Sequence, residues 1–377
     1  MMKKEYILIL CLLALAGCRR EEPVQQSEKE QHGERQNTEV AGFYLLNEGN
    51  MGSNKSTLDY YDFFTATYMR NIYAEVNPDV PKELGDVGND LQIYGGRLYA
   101  VINCSNKVEV MDARTCRRIG QVDIPNCRYI RFHGRYAYVT SYAGPVVIKP
   151  DYEQKGYVAR FDTATLQVDS RCITGFQPDE IEIADGKIYV ANSGGYMVPN
   201  YENTLSVIDL ASFTETGRIE VAVNLHRVRA DRHGQLWVSS RGDYYNTPSR
   251  LYCVDTATGT VTDTVETAVS DMTLAGDSLY ICATEWSYIE MRDVVTYGIV
   301  DVRTHRLVNR RFITDGTEAQ IKKPYGIAVH PVTGDIYVTD AKNYVTPGTL
   351  YCFSPDGVLK WSARTGDIPA HFAFVRR

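Results

Sequence analysis

The chain has 377 residues and a formal net charge of −7. That balance excludes a basic surface for nucleic acid. No CxxC pair and no Cys/His spacing suited to zinc occurs, which excludes a zinc module.

Residues 1–17 read as a targeting segment. Lys3 and Lys4 precede an apolar run from Tyr6 to Ala14, and Leu15, Ala16, Gly17 and Cys18 close it. The apolar core is too short for a membrane span and has the order of a secretory signal. The closing LAGC resembles a bacterial lipobox, which implies cleavage before Cys18 and acylation of that residue. Residues 18–39 are almost free of apolar side chains and cannot bury a core, so a solvated tether is expected. Its Glu21-Glu22 pair resembles the export signal of surface lipoproteins in the Bacteroides group.

The globular part is expected over 40–377. It opens on YLLNEGNMGSNKSTLDYYD, in which GNMGSNKS is one glycine short of a phosphate-binding loop. Such a loop leads into a helix, whereas Ser56 is followed by the alternating TLDYYD, a strand pattern. The stretch is therefore expected to be a loop between strands. Lys55 then has no nucleotide to bind, and Glu48, Asn50 and Asn54 become candidate ligand or calcium contacts.

Two phrases recur down the chain. One is an aromatic in a short apolar strand, as in LYAV, AYVT, IYVA, LWVS, LYIC and IYVT. The other is an apolar run that ends on Asp62, Asp112, Asp162, Asp209, Asp255 and Asp301, and finally on Ser354. Successive spacings of 50, 50, 47, 46, 46 and 53 residues match the period of a four-stranded propeller blade. Between the phrases lie Gly-containing hairpin turns such as HGR and DGK. No sustained 3.6-residue period predicts a long helix. Seven units are present, but the first lacks its innermost strand, and AHFAFV at 370–375 is left over. The expected fold is all-β: a seven-bladed β-propeller of four-stranded antiparallel blades, with the C-terminal strand pairing into blade one and closing the ring.

Seven cysteines follow Cys18, so at least one is unpaired. Cys253 and Cys352 hold equivalent places in LYCVD and LYCFS and read as buried thiols of the strand core. A Cys104–Cys127 bridge is left open.

The loops between second and third strands are long in six units, at 47–56, 141–156, 192–203, 240–249, 284–295 and 340–348; only 103–107 is short. They carry Tyr142, Tyr152, Tyr196, Tyr201, Tyr244, Tyr245, Trp286, Tyr288 and Tyr344, mixed with Asn, Ser and Gly. That mixture suits a recognition surface, combining large rigid contacts with adaptable hydrogen bonds. The innermost strands begin on the same face. Aligned by the repeat, one row is Asn89, Arg128, Asp179, His226, Ser270, Tyr325 and Ala370, and the next is Asp90, Tyr129, Glu180, Arg227, Asp271, Gly326 and His371. The row after these is apolar and is expected to pack between blades. Asp90, Asp179, Glu180 and Asp271 have the chemistry for calcium, but Arg128 and Arg227 compete for them. Arg128, Asp90, Tyr325, His226 and His371 join the loop aromatics as candidate ligand contacts. No Ser-His-Asp spacing or nucleophile elbow points to catalysis.

The repeats resemble the YncE-like seven-bladed propellers, and KPYGIAVHPVTGDIYVTDAKN is similar to an NHL-type repeat. LNEGNMGSNKSTLDYYD is similar to the start of Bacteroides surface lipoproteins within that family, of which the BtuG type binds cobalamin. The resemblance implies a lipoprotein anchored in the outer membrane through Cys18 and exposed at the cell surface. It further implies that the long-loop face binds a corrinoid and delivers it to a TonB-dependent transporter, without catalysis. Either imidazole, His226 or His371, would then be placed to approach cobalt. A calcium-dependent propeller hydrolase or lactonase, and a propeller that binds glycan or protein, are the alternative readings.

Overall fold

The computed structural model describes residues 28–80, 84–287 and 291–377. Cys18, the first nine residues of the tether and Tyr288 lie outside the described residues. Seven antiparallel sheets form, six of four strands and one of five. The innermost strands of blades two to seven are Gly88–Tyr94, Cys127–His133, Pro178–Ala184, Leu225–Ala230, Asp271–Ala275 and Pro324–Val329. Blade one takes its innermost strand, Pro369–Arg376, from the far end of the chain, where it pairs with Val40–Asn47. The expected fold and ring closure are both present.

Each repeat phrase has a local cause. The alternation of the strands puts one face of each sheet against the next blade, and Leu91, Ile130, Ile181, Val228, Met272 and Ile327 are buried there. The recurrent Asp ends the third strand and caps the turn that follows. Asp62 accepts from the backbone N–H groups of Phe64 and Thr65 at 2.8 and 3.0 Å. Asp162 does the same for Ala164 and Thr165, and Asp301 for Arg303 and Thr304. A short acceptor two residues upstream of two free amides stabilises this turn, which is why the residue is Asp in six blades. The hairpins between first and second strands need positive φ, supplied by Gly134 (58°) and Gly186 (72°).

The closing blade is bound by aromatic contacts. The Phe43 ring lies 5.0–5.8 Å from those of Tyr61, Phe63, Tyr337, Phe372 and Phe374. Each such pair contributes about 0.5–1.5 kcal/mol beyond its area burial.

Two boundaries differ from the sequence reading. Lys29–Gln31, inside the stretch expected to be tether, adds a fifth strand to blade one against Thr67–Met69. The Tyr61 hydroxyl donates to the His32 carbonyl at 2.5 Å, and the His32 ring stacks 5.8 Å from Trp361. An unpaired sheet edge outweighed the polar composition of this segment. Lys29 lies opposite Met69, so the chain enters blade one on the long-loop side. In blade six the segment expected as a loop is mostly strand. Ser278–Ser287 pairs with Arg292–Asp301 through Trp286 and Asp293, and the hairpin rises as a ribbon above the face. The β-branched run around Val294, Val295 and Thr296 favours the extended pairing.

Candidate functional site

The starts of the inner strands line a channel whose polar groups are matched to one another. In the outer layer Asp179, fully buried, accepts from Arg128 (3.1 Å), Arg241 (2.9 Å) and the Tyr142 hydroxyl (3.2 Å). The Arg128 guanidinium also lies 4.7 Å over the Tyr142 ring. Across the channel Glu48 accepts from Tyr325 at 2.8 Å and meets His371 Nε2 at 3.0 Å.

The deeper layer joins neighbouring blades. Asp90 accepts from the Ile130 amide, Glu180 from that of Val228, and Asp271 from that of Ile327, each across a blade boundary at 2.8–3.0 Å. The same carboxylates hold guanidinium groups: Arg131 lies 3.2 Å from both Asp90 and Glu180, and Arg229 lies 2.5 Å from Glu180. Arg227 reaches Asp271 at 3.3 Å and the Tyr129 hydroxyl at 2.9 Å. Burial opposes ionisation of Glu180, but Arg229, Arg227 and Arg131 outweigh it and bring its carboxyl down to about 2. These acids are thus employed in joining blades, which bears on the calcium candidates. Among the described residues no group of three or more His, Cys, Asp or Glu is placed to hold a metal.

His226 is buried at 8 % exposure, with Nε2 3.4 Å from the Tyr129 hydroxyl. Burial, followed by Arg241, Arg227 and Arg128, pushes its pKa well below the ordinary value, so the ring is neutral. Arg227 donates to the Tyr129 oxygen, and His226 Nδ1 is buried without a hydrogen-bond partner. His371 is 9 % exposed and engaged by Glu48. Of the two imidazoles, His226 has Nδ1 buried and Nε2 against Tyr129, whereas His371 uses only Nε2 toward Glu48.

Above the channel the loop side chains divide. Tyr142 and Tyr152 are buried, and the Tyr152 hydroxyl closes its own loop onto the Pro145 carbonyl at 2.7 Å. Tyr196, Tyr201, Tyr344 and Tyr325 are half-buried. Tyr196 packs edge-on to Tyr142, Tyr201 to Tyr244, and Tyr344 to Tyr325. Tyr244, Tyr245 and Trp286 stand out, at 53, 74 and 49 % exposure. Composition alone did not separate these sets, because inward and outward tyrosines share the same Asn/Ser/Gly surroundings. The reading also passed over aliphatic members of the surface. Met51, Val147, Ile148, Met291 and Val345 are exposed on the same loops. With the three aromatics they make eight of the fourteen large apolar side chains exposed among the described residues, gathered on one face.

A second constellation was not legible. Cys253 Sγ lies 3.9 Å from His305 Nε2, and His305 Nδ1 lies 3.3 Å from Asp263. The order is that of a thiol nucleophile, base and acid. Cys253 is fully buried, however, and burial pushes its thiol up to about 11, so it is a structural thiol. All seven described cysteines are free, Cys104 and Cys127 included.

The fold and site define a seven-bladed propeller with an apolar long-loop face above a channel of paired charges. The chain belongs to the family described as Domain of unknown function (DUF5074), which it matches over residues 41–354. No curated protein matches it. Among solved structures it is similar to a quinonprotein alcohol dehydrogenase-like protein from Bacteroides thetaiotaomicron, with a TM-score of 0.60 and 14 % identity over 90 % of this chain and 79 % of that one. It is also similar to the hydrazine synthase of Kuenenia stuttgartiensis, with a TM-score of 0.57 and 17 % identity over 71 % of this chain and 77 % of that one. At these identities the likeness is one of fold.

Proposed function

We propose that the protein is a non-catalytic surface lipoprotein that captures a corrinoid on its long-loop face and passes it to a TonB-dependent transporter in the outer membrane. The observation that carries this reading is the gathering of eight exposed apolar side chains on one face. A corrinoid is a broad, largely apolar disc rimmed by amides, and it needs wide flat contact with neutral hydrogen bonds around it. Tyr244, Tyr245 and Trp286 supply such contact at low entropy cost, amid Asn and Thr. The channel beneath favours capture over reaction, since its carboxylates are committed to arginines. The described chain enters on the long-loop side, which supports a reading in which the lipid anchor and the ligand face serve one membrane partner. Among the described residues no helix is long and apolar enough to cross a membrane, and acylated Cys18 is the proposed anchor.

Calorimetry with cyanocobalamin on the chain that begins after Cys18 tests this. Saturable heat is expected at micromolar ligand, and Tyr245→Ala with Trp286→Ala should weaken binding at least tenfold. Absence of heat ends the corrinoid reading; heat unchanged by the double variant moves the contact off this face.

A further inference from the structure

Six of the seven blades raise a long connection on the ligand face, whereas blade two carries only Asn103–Asn106 between its second and third strands. The crown is therefore notched. A recess of about 400 Å³ lies in the notch, within the range of small-ligand sites. Met51 of blade one forms one wall and Pro145 and Val146 of blade three the other, over a floor of Asn103, Cys104 and Asn126.

The floor is built. Asn103 Nδ2 donates to Asn126 Oδ1 at 2.5 Å and to the Cys127 carbonyl at 2.8 Å, and Asn126 Nδ2 donates to the Gly144 carbonyl at 2.7 Å. The Asn126 amide donates to Asn106 Oδ1 at 2.7 Å, which turns the exposed Asn106 carboxamide at the rim so that its oxygen is occupied. Two buried asparagines thus hold the wall of blade three upright over the short loop.

The recess offers an ion no favourable field. No Asp, Glu, Lys, Arg or His lines it. The charges that act on Cys104 are those of Asp86 and Arg128. Asp86 already accepts from the amides of Gly52 (2.7 Å) and Asn54 (3.3 Å), and Arg128 is held by Asp179. Lys107, next in the chain, is paired with Glu109 at 2.6 Å. An entering ion would lose its water without gaining a countercharge, whereas an uncharged group would gain apolar contact and amide hydrogen bonds.

We propose that this notch is the subsite that takes an uncharged, amide-bearing edge of the ligand. The proposal rests on the reading of this face as a ligand face. Cys104 is the one described cysteine that is not buried and sits in the floor, where it reports on the recess.

The first measurement needs no cobalamin. The mature protein is treated with uncharged, cationic and anionic methanethiosulfonates, with each rate divided by that for a free thiol. The uncharged reagent should modify Cys104 at least fivefold faster than either ion, with Cys104→Ser abolishing the adduct. Equal normalised rates overturn the proposal. The second measurement uses cyanocobalamin. Bound ligand should slow modification of Cys104 at least tenfold, and Val146→Trp, on a surface loop, should weaken binding at least tenfold with the melting temperature unchanged. If cyanocobalamin binds and neither effect appears, the subsite is wrong and the corrinoid reading stands. If cyanocobalamin does not bind, the corrinoid reading falls, and the charge selectivity at Cys104 alone decides the notch.

Discussion

Glu180 shows what the channel charges do. It is almost fully buried, accepts from Arg131 and from one backbone amide of the next blade, and is ion-paired with Arg229 and Arg227. Glu180→Gln keeps the shape but takes from Arg229 the carboxylate it faces, while Arg131 and Arg227 keep Asp90 and Asp271, at an expected cost of about 3 kcal/mol in urea unfolding. Its carboxyl, at about 2 when folded against an ordinary ~4.3, contributes stability that is complete above pH ~4.3 and is lost as pH falls toward 2. His226 acts at milder pH. The folded ring stays neutral while the unfolded one takes up a proton below pH ~6.5, so stability falls as pH drops through that value, by up to about 1.4 kcal/mol per pH unit. His330 is also held low by burial and adds to the same slope. Urea midpoints from pH 5 to 7.5 should therefore show a shallower slope in His226→Asn; an unchanged slope would contradict the assignment.

At the scale of the element, the repeat was readable because each strand and turn is dictated locally. Alternation sets the strand, Gly with positive φ sets the hairpin, and Asp two residues ahead of free amides sets the second turn. Close approach between elements was not readable. The row holding Tyr129, Glu180 and Arg227 has Gly326 in blade seven, and a Cβ there would stand 2.0 Å from the Ala370 carbonyl of the closing strand. Gly326→Ala should cost about 1–3 kcal/mol through overpacking, measured as a lower urea midpoint; an unchanged midpoint would show that the closing strand yields. The blade-six ribbon was misread for a related reason. TEWSYIEMRDV has the aromatic and polar make-up of the other loops, and only the pairing of Thr284 with Val295 through Ser287 with Arg292 made it strand.

For the molecule as a whole, closure is the main constraint. Pro369–Arg376 is the innermost strand of blade one and carries Phe372 and Phe374 into the Phe43 cluster. Removal of residues 369–377 exposes the edge of Val40–Asn47 and an apolar blade face, and should give an aggregated product in size-exclusion chromatography. Among the described residues, loss of those up to 31 removes Glu28 and a three-residue outer strand, and the remaining ring should run as a monomer. A monomeric protein after the C-terminal truncation would show that the ring closes without that strand.

The sequence by itself determined the number of blades, their strand order, the closing strand and the face that carries the long loops. Each follows from periodicity and turn chemistry, which act over a few residues. The near phosphate loop at GNMGSNKS is settled by the same means, since Thr57–Asp62 is the strand that the alternation of TLDYYD requires. Only the tertiary structure decided which of the loop tyrosines face solvent, that the channel acids join blades, and that the short blade-two loop leaves a recess between Met51 and Val146. These depend on which blade stands beside which. Side-chain direction and charge pairing across a boundary are set by neighbours some 40–50 residues away in the chain, where no local pattern reaches.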